Sequence, residues 1–238
     1  VLGAVAVDGA AHRSSLDPAG DGSTATAWFA DLAAAVAADP PAPWHPRLPA
    51  DAGQLLRDPP GEEVLAAARQ LAEQRLDAYG LGLDAFGNGW GTRRRGAAFA
   101  DDVRYRAAFA RRSLAGHLPA ENRSYHRLVD GSRWHALRLL PGEPPVAGFW
   151  SLTVYGADGF LVANPIDRYS IGDRTPGLVH DADGGLTITI GHDPPPGPTA
   201  NWLPAPAGPC VLSLRAYEGA PDVVDATWFP PDVEPVAP

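Results

Sequence analysis

Strict alternation over three short stretches constrains this chain more than any other feature. Trp150, Leu152 and Val154 alternate with Ser151, Thr153 and Tyr155. Leu186, Ile188 and Ile190 alternate with Thr187 and Thr189, and Leu212, Leu214 and Ala216 with Ser213, Arg215 and Tyr217. A period of two places successive side chains on opposite sides of an extended backbone, so each stretch reads as a strand with one apolar and one hydroxyl-rich face. The first runs on through Ala157-Asp158-Gly159 into Phe160-Leu161-Val162. That is a hairpin signature, with Gly159 supplying the positive φ of the turn.

The 26 Gly and 26 Pro among 238 residues favour many short strands divided by turns. Strands are expected at 133–140, 149–155, 160–162, 186–190, 210–217 and 223–228. The N-terminal half has a different character. An Ala-rich run at 27–36 has high helix propensity and ends at Asp39-Pro40-Pro41. A short helix is expected at 50–57. Another at 62–78 carries Glu62 and Glu63 in its first turn and Val64, Leu65, Ala68, Leu71 and Leu76 at helical spacing. A last helix at 97–115 follows the basic run Arg93-Arg94-Arg95, which reads as solvated surface more readily than as an anion site. A first strand is expected at 1–7, closed by Asp8-Gly9. Helices before strands predict an α+β chain. Its mainly helical N-terminal portion, 1–121, packs on the sheet, and 122–238 forms an antiparallel β-sandwich or jelly-roll-like domain.

Composition removes several functions. All 19 basic residues are Arg, so Schiff-base catalysis by Lys and a phosphate-binding P-loop Lys are excluded. A net charge of −9 argues against nucleic acid and anionic membranes as partners. The single Cys210 excludes an intrachain disulfide and a multi-Cys metal site, and its strand setting reads as a small core hydrophobe. The seven His show no metal-ligand spacing; His180-x-x-Asp183 and His192-Asp193 are not diagnostic. Neither a metal nor another cofactor is expected. No stretch is apolar enough to span a bilayer, and Val1–Val7 lacks the basic start and cleavage site of a secretory leader. A soluble, cytoplasmic location is therefore favoured, although a trimmed secreted form would read the same.

The hydroxyl-rich strand faces carry Ser, Thr, Tyr and one Arg where a solvent-facing sheet usually carries charges. They read either as ordinary outward faces or as the lining of a polar cavity for a small ligand. In the second reading Arg215 holds an anion or developing oxyanion, Tyr155 donates a proton, Asp173 is the base and His192 is the reserve acid or base. Ser151, Thr153, Asn164, Arg168, Asn201, Trp202 and Tyr217 are the expected ligand contacts. Arg168, Asp173 and Arg174 lie close enough in sequence to pair with one another. Trp202 can pack in the core or stack on a sugar or aromatic ring. The expected function is a redox-cofactor-independent lyase, isomerase or hydrolase that acts on a small polar oxygenated molecule by acid–base chemistry. The alternatives are a non-catalytic carbohydrate- or metabolite-binding module, and an assembly domain whose Tyr/Arg face makes a homo-oligomer.

The run from Phe149 to Leu178, then Leu186 to Pro196, Asn201 to Pro209, Leu212 to Glu218 and Ala226 to Val233 resembles a bacterial family known as domain of unknown function 1214. Longer members carry it after a 1254 domain. Weaker similarity extends upstream through Tyr105–Ala108 and the helices between Trp28 and Tyr79. The resemblance implies a β-sandwich or jelly-roll-like fold with helical additions, and carries no settled chemistry. Ala226 stands where the family usually has Gly, Cys210 where it has Phe, and Ser124-Tyr125-His126 where it has a Val-Tyr-Pro-like stretch.

Overall fold

The computed structural model describes residues 6–7, 10–11, 24–40, 50–79, 82–112, 116–196 and 198–236. The chain divides into two compact units, Val1–Leu81 with Asp102–Leu114, and Gly82–Asp101 with Ala115–Pro238.

The first unit holds the strand pair β1 (Ala6–Val7) and β2 (Ala10–Ala11), and helices α1 (Ala25–Ala38), α2 (Ala50–Arg57), α3 (Glu62–Tyr79) and α4 (Val103–Arg112). β1 pairs antiparallel with β2, Ala6 opposite Ala11 and Val7 opposite Ala10. The rest of the expected strand at 1–7 lies outside the described residues. Thr24 caps α1 by accepting the Ala27 N–H. The Glu62 carboxylate adds a second cap from the first turn of α3, accepting the N–H groups of Ala25 and Thr26 and the Thr26 hydroxyl. Those bonds, the Thr26 hydroxyl first, hold the Glu62 carboxyl below its ordinary value. α4 begins later than expected. Gly96 and Ala100 adopt positive φ, which no helix tolerates, and Asp102 caps the true start by accepting the Tyr105 N–H.

The second unit contains β3 (Ala85–Gly87), β4 (Trp90–Thr92), β5 (Asn122–Asp130), β6 (His135–Leu139), β7 (Trp150–Gly156), β8 (Ser170–Gly172), β9 (Leu186–Gly191), β10 (Trp202–Pro204), β11 (Pro209–Tyr217), the short helix α5 (Pro221–Val224) and β12 (Val233–Pro235). They make a six-stranded sheet in the order β3-β4-β5-β11-β7-β8 and a four-stranded sheet in the order β10-β9-β6-β12. All pairings are antiparallel except β10 with β9. The sheets share one apolar core. Leu152, Val154, Ile171, Leu212 and Leu214 come from the large sheet, and Leu137, Leu139, Leu186, Ile188 and Ile190 from the small one. Cys210 belongs to this core, and burial pushes its thiol up to about 11. The α+β class and the sandwich follow the sequence reading.

Two expected strands are replaced. Gly159 turns with φ 82° as anticipated, but beyond it only Leu161 makes a bridge, to Tyr155. The edge of β7 is taken by β8 instead, with Ser151 opposite Gly172 and Thr153 opposite Ser170. Residues 223–228 form the end of α5 and a turn. Pro221 sits at the first helical position, and the Asp222 carbonyl accepts the N–H groups of Thr227 and Trp228. β3 and β4, which no stretch of alternation announced, flank Asn88-Gly89, both at positive φ (50° and 75°) as a tight hairpin loop requires. Among the described residues no helix is long and apolar enough to cross a membrane.

Candidate functional site

Register brings the polar residues of the large sheet into rows. Antiparallel partners share a face, so Ser170, Thr153, Ser213, His126 and Gly91 form one row across β8, β7, β11, β5 and β4. The next row holds Gly172, Ser151, Arg215 and Ser124, and on the other side lie Tyr155, Val211 and Leu128. This face points away from the core, whose side carries Leu152, Val154, Leu212, Leu214 and Tyr125. β9 belongs to the small sheet, which meets the core with its own apolar face, so Thr187 and Thr189 point out of the opposite side of the sandwich. Of the three hydroxyl-bearing strands, two therefore share a surface and the third does not. Thr187 instead donates to the Asp181 carboxylate.

Arg215 and Tyr155 meet on the large sheet. Arg215 Nη2 donates to Tyr155 Oη at 3.1 Å, and its guanidinium carbon lies 5.5 Å from the centre of the phenol ring. Arg215 is opposite Ser151 and Tyr155 is opposite Val211, so the row between them is Thr153–Ser213. The arginine side chain must therefore pass over that pair to reach the phenol. Beneath it Thr153 is 8% exposed and Ser213 only 1%. The Ser213 hydroxyl is buried without a hydrogen-bond partner. Buried polar atoms are nearly always paired, so an orphan hydroxyl in the row between Arg215 and Tyr155 is a distinctive arrangement. Among the described residues no carboxylate pairs with Arg215.

His126 completes the row. Burial first, and then the positive charges of Arg93 and Arg215, together push its imidazole down to about 4, so the ring is neutral at pH 7. It did not stand out in the sequence because β5 hides its alternation. Its core-facing positions are Arg123, Tyr125, Arg127 and Val129. The two arginines there are stabilised by polar partners. Arg123 donates to the carbonyls of Arg93, Arg94 and Val224. Arg127 donates to the carbonyls of Asn88 and Val233 and pairs with Asp232. The Arg93–Arg95 run is likewise built into the fold, for Arg95 donates to the Ala98 and Phe99 carbonyls.

The other expected site residues go elsewhere. Asp173 accepts the Trp150 backbone N–H at 3.2 Å, at the end of the sheet away from the Arg215 guanidinium. It lines a separate cavity of about 130 Å³ with Leu139, Glu143, Trp150, Leu178, His180 and Leu186. Glu143 is fixed there by the Leu140 N–H and the Trp228 indole. Glu143 was not anticipated and His180 stood out only beside Asp183; the sequence separates both from Asp173 by turns whose paths it does not specify. Arg168 does not pair with Asp173 either. Its Nη1 gathers the carbonyls of Thr199, Ala200 and Trp202, while Arg174 stacks on Phe149 at 4.4 Å. Phe149 in turn stacks on Tyr217 at 4.1 Å, so Tyr217 is held in an aromatic pile.

Asn164 closes its own loop, donating to the Val162 and Arg168 carbonyls and accepting the Ile166 and Arg168 N–H groups. Asn201 clasps Val179 and Thr187. Trp202 is a core anchor, 2% exposed with its indole donating to the Gly191 carbonyl, and offers no ring for stacking. His192 is exposed and capped by the Ala205 carbonyl, remote from Arg215 and Tyr155 along the chain's other sheet. Among the described residues no three His, Cys, Asp or Glu side chains gather as metal ligands.

Comparison with known proteins bears on the sandwich. Residues 118–221 match the family described as Protein of unknown function (DUF1214). The matched stretch is similar to that family. It contains β5 to β9, β10 and β11, and so the whole Thr153–Ser213–His126 row apart from Gly91. No curated protein matches the chain. Among solved structures, the VPA0106 protein from Vibrio parahaemolyticus is similar at 22% identity and TM-score 0.52, over 82% of this chain and 48% of its own. That likeness supports the fold. An uncharacterized protein from Burkholderia cenocepacia aligns at 12% identity and TM-score 0.35, over 89% of this chain and 49% of its own. The chain thus spans about half the length of both.

Proposed function

We propose that the β unit binds a small, polar, oxygen-rich molecule over the Thr153–Ser213 pair. The reading rests on one observation: the Arg215–Tyr155 hydrogen bond spans the strand row that holds Ser213, a buried hydroxyl with no partner. A bound acceptor gives both groups the hydrogen bonds they lack, and the fixed sheet carries them at low ordering cost. Ligand-observed NMR with a panel of small organic acids, polyols and sugars tests it. Some of the panel should bind the wild-type chain and lose binding in Arg215→Ala. A panel that binds equally to both chains, or to neither, overturns the reading.

A second reading, acid–base catalysis of the lyase, isomerase or hydrolase type, is favoured by His126. A neutral imidazole in the same row as Ser213 can accept a proton, and Tyr155 can donate one. His126 then takes the part expected of Asp173. Loss of turnover with binding retained in His126→Gln supports catalysis, and unchanged turnover removes it.

A further inference from the structure

We infer that the ligand of this face is a small organic acid bound through its carboxylate, and that the Arg215–Tyr155 hydrogen bond is a latch the carboxylate replaces. This rests on the binding reading above and narrows it. The donor inventory carries the inference. A carboxylate has two oxygens with about four acceptor sites. The face offers four matching donors: two N–H groups from the Arg215 fork, and the hydroxyls of Ser213 and Thr153.

The backbone cannot add to that number. Thr153 and Ser213 are central residues of paired strands, so their N–H groups lie in the plane of the sheet and form no anion-binding nest. A phosphate, with three or four acceptor oxygens and close to two charges, asks for more donors and more positive charge than this. His126 supplies no cation, because it is neutral. A neutral polyol leaves the Arg215 charge uncompensated where a carboxylate neutralises it. Planar fork-to-carboxylate pairing also predicts that Lys cannot replace Arg215.

The latch follows from the same geometry. Arg215 and Tyr155 bond to each other across the Thr153–Ser213 row, so a carboxylate on Ser213 competes with the phenol for the guanidinium. Binding must swing the guanidinium off the phenol, and the lost bond is subtracted from the affinity. Tyr155→Phe removes that competing acceptor and keeps the ring.

The test is titration of the whole chain with sodium lactate, sodium acetate, inorganic phosphate and glycerol, read by isothermal calorimetry with parallel circular dichroism. Lactate and acetate should bind the wild-type chain. Ser213→Ala and Arg215→Lys, if folded by dichroism, should each weaken them about tenfold, the factor for one hydrogen bond to a charged group. Tyr155→Phe should tighten them about threefold or more. Phosphate or glycerol binding more tightly than lactate, with dependence on Arg215, overturns the carboxylate assignment and leaves the binding site standing. Weaker lactate binding in Tyr155→Phe overturns the latch. No probe depending on Arg215 or Ser213 overturns both the assignment and the site.

Discussion

Replacing Ser213 by Ala should make the protein more stable while impairing its site. The Ser213 oxygen is buried, 1% of the residue being exposed, and no protein group hydrogen-bonds to it. Leaving a buried hydroxyl unpaired costs about 1–3 kcal/mol. The methyl group of Ala keeps the Cβ contacts and removes only the oxygen, so the void left behind is far smaller than that of a Leu→Ala change. The expected net effect is a gain of about 1 kcal/mol. For a chain of this size that raises the melting temperature by about 2–4 °C. Urea denaturation followed by tryptophan fluorescence gives the cleaner reading: a higher midpoint at unchanged slope. A drop in stability of 1 kcal/mol or more would refute the reasoning, because it means that the hydroxyl has a partner in the free protein.

Other outcomes follow from the same contacts. His126 is depressed to about 4 when folded and returns to an ordinary histidine value on unfolding, so the unfolded chain binds the extra proton. Stability should therefore fall as pH drops from about 6.5 to about 4, by up to about 3 kcal/mol relative to His126→Gln. Parallel urea midpoints of the two proteins across that range would contradict the assignment. Asn201→Asp keeps the shape but cannot donate to the Val179 and Thr187 carbonyls, and should cost about 2 kcal/mol by chemical denaturation. An unchanged midpoint would remove the clasp. Cys210, with its thiol raised to about 11, should resist a disulfide reagent at pH 8 until the chain unfolds; rapid labelling of the native protein would place it at the surface.

Much of the sandwich was readable because its central strands keep a clean period of two. Trp150/Leu152/Val154 and Leu212/Leu214/Ala216 announce their core faces and, by exclusion, put Tyr155 and Arg215 on the other. β5 escaped for a physical reason. Its core side carries Arg123 and Arg127, whose guanidinium groups are stabilised by carbonyls from distant loops, and no local pattern encodes those partners. His126 was lost with it. β8 and β10 have three residues each, too few to show a period. Which strands neighbour one another is likewise a long-range matter. The Thr187/Thr189 face looks identical to the Ser151/Thr153 face in sequence, yet sheet assignment sends the two to opposite sides. Asp173 and Arg168 looked like a charged pair because they are close along the chain. β8 separates them instead: Arg168, ahead of it, gathers three carbonyls, and Asp173, just after it, accepts a backbone N–H.

A crystal structure of the chain soaked in lactate shows whether a carboxylate takes the guanidinium from the phenol. The account predicts the carboxylate between Arg215 and the Ser213 hydroxyl, with the Arg215–Tyr155 hydrogen bond broken. An intact Arg215–Tyr155 bond with Ser213 still unpartnered, at a lactate concentration that saturates binding in solution, would contradict it.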